Sequence, residues 1–428
     1  MRIKSLHSVI ATAVVGLGAG LAGCGSTPLP PDLGCGVPGG LCAPAEPNTS
    51  ARAPAPQLQE PASSETSTSP VELYPGTGTP QARAQPAGGT AHIALLLPLQ
   101  SPGLGQAAEA VRAGFMAGHE RDRAGIEVTI IASGDTPDST LQAYARAAAQ
   151  NDIIVGPLAR SSVAALVNSN AVTKPTIALN HPQSERPLPP QLLVVGLSLE
   201  EEARQVADWA AREHPAGRAL VLGGRAAWQQ RAAGAFSARW SRLGHNNASV
   251  ELPINDGYVD ANVLSELRSR LEIDRPELVF AALDAGALRQ VRSALGTSLP
   301  TYGISAANPG RAPGVSVPEL DGVRLVDLPW TIRPDHPQVM VYPRPDADSL
   351  DMQRLYALGI DAFQVARTLV QQPGADFELD GVTGRLSVRQ NNGLWSVQRT
   401  EAAAVYRDGT GYEAVAEKTV AEKPVAGQ

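Results

Sequence analysis

From His92 onward the chain alternates short apolar runs with longer stretches whose apolar residues return every three or four positions. Such alternation predicts strands flanked by amphipathic helices. Residues 92–97 (HIALLL) read as a strand, followed by an Ala-rich helix over 106–121. A strand at 126–131 and a helix at 141–149 come next, then a strand at 153–155 closed by Gly156-Pro157 and a helix restarting at Ser161-Ser162. Short strands follow at 176–179 and 192–195. The rhythm resumes with a helix at 199–213, a strand at 219–222, a helix at 228–243, a strand at 249–252 and a helix at 259–272. A strand at 278–282, a helix at 287–295 and a strand at 301–304 complete that series. Near-continuous apolar strands separated by helices predict parallel sheets covered on both faces. The expected fold class is therefore α/β, with two similar Rossmann-like lobes. Lobe 1 is expected at about 91–196 plus 350–375, and lobe 2 at about 197–325 plus 376–412. A helix at 350–371 and a final β pattern at 377–388 and 394–405 carry the chain back between lobes, before a flexible tail at 413–428.

The periodicity is absent before residue 91. Residues 24–90 hold 13 Pro, 9 Gly and 13 Ser or Thr with Tyr74 as the lone aromatic, so this segment cannot offset the entropy of ordering it. It is expected to be a disordered tether, stiffened by its prolines and reaching about 200 Å when fully extended at roughly 3.1 Å per residue. The first 23 residues have the layout of a signal peptide: Arg2 and Lys4, then an uncharged apolar run over 9–22. The sequence Leu21-Ala22-Gly23-Cys24 resembles the bacterial lipobox, which implies lipidation of Cys24. Gly25 and Ser26, rather than Asp, follow it and direct the expectation to the outer membrane, facing the periplasm. No later stretch approaches the length of a membrane-spanning helix.

Composition narrows the function. Thirty-five basic against 42 acidic residues give a net charge of −7, with no basic run, which argues against a nucleic-acid partner. Removing residues 1–23 takes away Arg2 and Lys4 and moves that charge to −9. Cys35 and Cys42 are a possible disulfide in an oxidising compartment, and two free thiols in a tether are an equal reading. A zinc site is not expected, because no His or further Cys stands nearby. Motifs of serine hydrolases, β-lactamases, zinc peptidases and P-loop enzymes are missing, and Asp346, Asp348 and Asp351 lack the Gly and terminal Glu of a calcium loop. Gly103-Leu104-Gly105-Gln106-Ala107-Ala108 matches a dinucleotide fingerprint, but 98–102 intervene between it and the strand. No catalytic residue, cofactor or metal is expected.

Ligands of doubly wound lobes sit beyond the carboxyl ends of strands. The residues placed there are Ser161, Ser162, Asn180, Trp228, Asp284 and Asn308, the candidate cleft. Ser161 and Ser162 open a helix and could offer hydroxyls and backbone N–H groups to a carboxylate, although helix capping is the plainer reading. The second-lobe loop Gly223-Gly224-Arg225-Ala226-Ala227-Trp228-Gln229 carries neither Asp nor Tyr, and a small ligand in the cleft stays an open expectation.

Asp152-Ile153-Ile154-Val155-Gly156-Pro157-Leu158 and the second-lobe opening at 218–236 resemble the type I periplasmic-binding-protein fold. More narrowly, IALLLPL at 93–99, IVGPL at 154–158, RLYALGIDAF at 354–363 and FELDGVTGRL at 377–386 are similar to the penicillin-binding-protein activator (LppC-type) lipoproteins. That resemblance covers about 91–412 and implies an outer-membrane lipoprotein that binds and activates a class A penicillin-binding protein in peptidoglycan synthesis. Longer members carry a helical-repeat domain ahead of this fold, where this chain has the Pro-rich tether. The alternatives are a solute-binding receptor, for amino acids or muropeptides, serving an ABC importer or sensor, and a structural envelope lipoprotein.

Overall fold

The computed structural model describes residues 90–414, apart from 124, 185, 311–316, 347–348 and 408–410. The signal peptide, Cys24, Cys35, Cys42, the tether up to residue 89 and the tail from 415 lie outside the described residues. The first lobe is laid down by β1 (Ala91–Leu97), α1 (Gly105–Arg121), β2 (Ile126–Ala132), α2 (Pro137–Gln150), β3 (Ile153–Val155), α3 (Arg160–Asn168), β4 (Thr176–Ala178) and β5 (Leu192–Val194). Its sheet is parallel, in the order β2-β1-β3-β4-β5. Central β1 is apolar on both faces because α1 covers one side and α2 the other, with Ile93 and Leu95 in one cluster and Ala94 and Leu96 in the next.

The second lobe repeats the plan with α4 (Leu199–Glu213), β6 (Ala219–Gly223), α5 (Ala227–Arg242), β7 (Asn247–Glu251), the two-stranded ribbon β8 (Ile254–Asn255) and β9 (Tyr258–Val259), α6 (Ala261–Asp274), β10 (Leu278–Ala282), α7 (Ala285–Leu295), β11 (Thr301–Gly303) and β12 (Arg324–Asp327). Running β7-β6-β10-β11-β12, its parallel strands have the same order as those of the first lobe. Short helices α8 (Pro329–Ile332) and α9 (Pro337–Met340) then lead to α10 (Leu350–Gln371), which lies along α1.

The meander β13 (Phe377–Gly381), β14 (Gly384–Asn391) and β15 (Leu394–Thr400) corrects one expectation. Residues 376–412 are expected in the second lobe, yet Phe377, Leu386 and Val388 pack into the first-lobe core with Ile93, Phe115 and Phe363. Only β16 (Ala402–Arg407) and β17 (Gly411–Ala414) join the second sheet, where β16 pairs antiparallel with β12. Period-2 alternation marks a strand, but it does not say which sheet the strand serves. The chain thus crosses between lobes three times: at 195–198, at 328–349 and at 400–401.

Candidate functional site

The carboxyl ends of β6, β10 and β11 form the crevice of the second lobe, as expected at a switch point in strand order. Trp228, Asp284 and Asn308 stand along it, facing Leu350, Arg354 and Leu355 from the first turns of α10 across a cavity of about 820 Å³. Most polar side chains here are already engaged. Asp284 caps α7 by accepting from the Ala287 N–H at 2.9 Å. Asn308 donates to Asp327 at 2.7 Å and accepts from the Gly310 N–H at 2.8 Å.

The three first-lobe candidates do not line this cavity. Ser162 is 2% exposed and its hydroxyl bonds that of Thr140 at 2.8 Å, tying α3 to α2. Ser161 is exposed on the helix, and neither serine is the cap, because Ala159 occupies that position. Asn180 donates to the Leu158 carbonyl at 3.1 Å, bracing the loop after β3.

Buried ions that the sequence reading passed over organise the crevice floor. Arg354 Nε and Nη2 donate to the two carboxylate oxygens of Asp327 at 3.1 and 2.7 Å, and Nη2 also donates to the Ser305 carbonyl at 2.9 Å. Arg354 is 9% exposed and Asp327 fully buried. This forked pair joins α10 of one lobe to the end of β12 in the other. Beneath it Glu202 of α4 accepts from the Ser305 N–H at 2.8 Å and the Ser305 hydroxyl at 2.9 Å. Burial, reinforced by the charge of Asp327, raises the Glu202 carboxyl to about 7. Glu401, at the third crossing, is held well above the usual carboxylate range by burial and then by Glu202.

A second buried chain runs along α10. Asp361, 1% exposed, accepts from the Val382 and Thr383 N–H groups at 2.9 and 2.8 Å and from the Thr383 hydroxyl. Thr383 Oγ1 in turn accepts from Arg399 Nε at 3.1 Å, and Arg399 donates to the Val195 and Gly196 carbonyls at 2.6 and 2.8 Å. Burial pushes the Asp361 carboxyl above its ordinary range. The motifs RLYALGIDAF and FELDGVTGRL are therefore two halves of one contact. The signal for these residues is visible in the sequence: Arg354 and Asp361 are the charges inside an otherwise apolar ten-residue run. Among the described residues no group of His, Cys, Asp and Glu is arranged to hold a metal ion, and no helix is long and apolar enough to cross a membrane.

Comparison with known proteins agrees with this architecture. A family profile described as "LppC putative lipoprotein" matches residues 86–409. The penicillin-binding protein activator LpoA of Haemophilus ducreyi is 27% identical over 334 residues, covering 74% of this chain and 54% of that protein. The chain thus spans about half the length of the curated relatives it matches. Among solved structures, a putative branched-chain amino acid ABC transporter from Chromobacterium violaceum is 34% identical with a TM-score of 0.62, over 74% of this chain and 100% of that one. The LpoA C-domain from Haemophilus influenzae, described as a regulator of PBP1A, shares the fold, with 22% identity and a TM-score of 0.59 over 76% of this chain and 100% of that one. The fold is that of the type I periplasmic binding proteins.

Proposed function

This chain belongs to the LppC lipoprotein family, and from that premise we propose that it is an outer-membrane lipoprotein that binds and activates a class A penicillin-binding protein in peptidoglycan synthesis. The observation that carries the reading is the similarity to the activator LpoA across the whole bilobal unit. The lipobox ending in Cys24 and the tether after it support anchoring of this unit at a distance from the membrane. The crevice is consistent with a docking module: Asp284 and Asn308 are engaged by protein groups, and Arg354 bridges the lobes. The test is to add the purified chain to candidate class A synthases and measure peptidoglycan product. Binding with a saturable rise in rate is expected, and neither binding nor stimulation with any of them sinks the reading.

A second reading, a solute receptor, draws on the 34% identity to the Chromobacterium protein and on the 820 Å³ crevice. A thermal-shift screen with amino acids and muropeptides separates the two. A true ligand stabilises the fold by RT ln(1 + [L]/Kd), whereas an activator without a crevice ligand shows no shift.

A further inference from the structure

A second cavity, of about 840 Å³, opens where α4 and α5 of the second lobe meet β14 and β15 of the first. Its charges do not cancel. Arg239 holds Asp208 at 2.6 Å and Arg204 pairs with Glu201, while Asp380 stands 3.7 Å from His336 and across the β13–β14 ladder from Arg385, with no guanidinium bonded to it among the described residues. The remaining wall carboxyl, Glu401, is 7% exposed, pushed well above the usual carboxylate range by burial and then by Glu202, and among the described residues its Oε2 has no hydrogen-bond partner. Among the described residues, five guanidinium groups are then left without a carboxylate paired to them. Arg242 reaches only the Ala238 carbonyl at 3.3 Å, and Arg399 only the backbone and Thr383. Among the described residues Arg212 and Arg385 are exposed and have no side-chain partner, and Arg333 has its Nε buried and unbonded.

Concentrating like charges along a concave wall raises the local potential and favours anions. A guanidinium fork matches a carboxylate or phosphate in two-point geometry. The five groups come from α4, α5, the connection after α8, β14 and β15, so no compact oxyanion could touch more than a fraction of them. The volume falls within the usual range for ligand sites of about 300–1,000 Å³. Gln398 and Thr400 add polar groups along the same wall. We propose that this cavity binds a short acidic peptide segment, whose carboxylates are taken by Arg212, Arg333 and Arg385 while its main chain lies along β15. A peptide so held touches both lobes.

The test uses the full chain, with tetraglutamate as probe, tetralysine and inorganic triphosphate as controls, and calorimetric titration at low and high salt. Tetraglutamate is expected to bind one per chain, more weakly at high salt, and tetralysine not at all. The double variant Arg212→Gln/Arg385→Gln is expected to melt close to the parent, both side chains being exposed and neutral replacements setting no like charge opposite Asp380, and to lose about tenfold or more in affinity. Absence of saturable binding overturns the proposal, as does undiminished binding to the double variant. Binding of triphosphate with none of tetraglutamate would overturn it too, by pointing to a compact oxyanion instead. No synthase enters this experiment, so its failure and that of the activator reading are distinguishable.

Discussion

Glu202 is the residue on which solution behaviour turns most directly. Its carboxyl accepts two hydrogen bonds from Ser305, yet burial and the nearby Asp327 charge raise it to about 7. In the unfolded chain it titrates near 4.5. A group raised in the folded state lends stability that is complete below its unfolded value and is lost as pH rises through its folded value. The free energy of unfolding therefore has a component that declines between about pH 4.5 and pH 7, worth about 3 kcal/mol. Urea unfolding across that range, on the parent and on Glu202→Gln, isolates it: the variant is expected to show a flatter profile. Identical slopes would count against the assignment.

At the scale of elements, the α1–α10 crossing holds the first lobe together. A Cβ on Gly359 would collide with the Val111 carbonyl of α1, and one on Gly114 with the Tyr356 carbonyl of α10. Alanine normally stabilises a helix over glycine by about 0.5–1 kcal/mol. Here the sign reverses: Gly359→Ala is expected to cost about 2 kcal/mol or more, since the backbones must part and loosen Phe115 from Phe363. Gly234 of α5 faces open space, and Gly234→Ala is expected to stabilise by about 0.5–1 kcal/mol. Paired thermal melts check both signs. These elements were legible in the sequence because each carries a long apolar repeat. β12 was not, since Arg324-Leu325-Val326-Asp327 is four residues with a charge at each end. Nor was the lobe to which β13–β15 belong, because the partners of Phe377 and Leu386 lie far away in sequence.

Across the whole molecule the lobes are joined by three covalent crossings and by Arg354. Removing one member of a buried pair leaves the other charge uncompensated, at a cost of about 3–5 kcal/mol. Arg354→Met is expected to fall in that range by urea unfolding, and adding Asp327→Asn is expected to recover part of the loss. An unchanged second variant would show that the pair is not the link. The candidate cleft was half legible for the same reason. Strand ends at 228, 284 and 308 follow from the α/β rhythm, whereas the Arg354–Asp327 bridge that meets them joins elements from two lobes and leaves no local pattern.

The threefold crossing also sets an order in time. α1 is made early, yet the side of it that meets Gly359 and Phe363 has no cover until α10 has been synthesised. The second sheet likewise waits for β16 to close over β12. Neither lobe can finish its core while the ribosome is still upstream of Leu350, and contacts so distant in sequence form slowly. Both cores are therefore closed by the C-terminal elements of the chain, the last to be made.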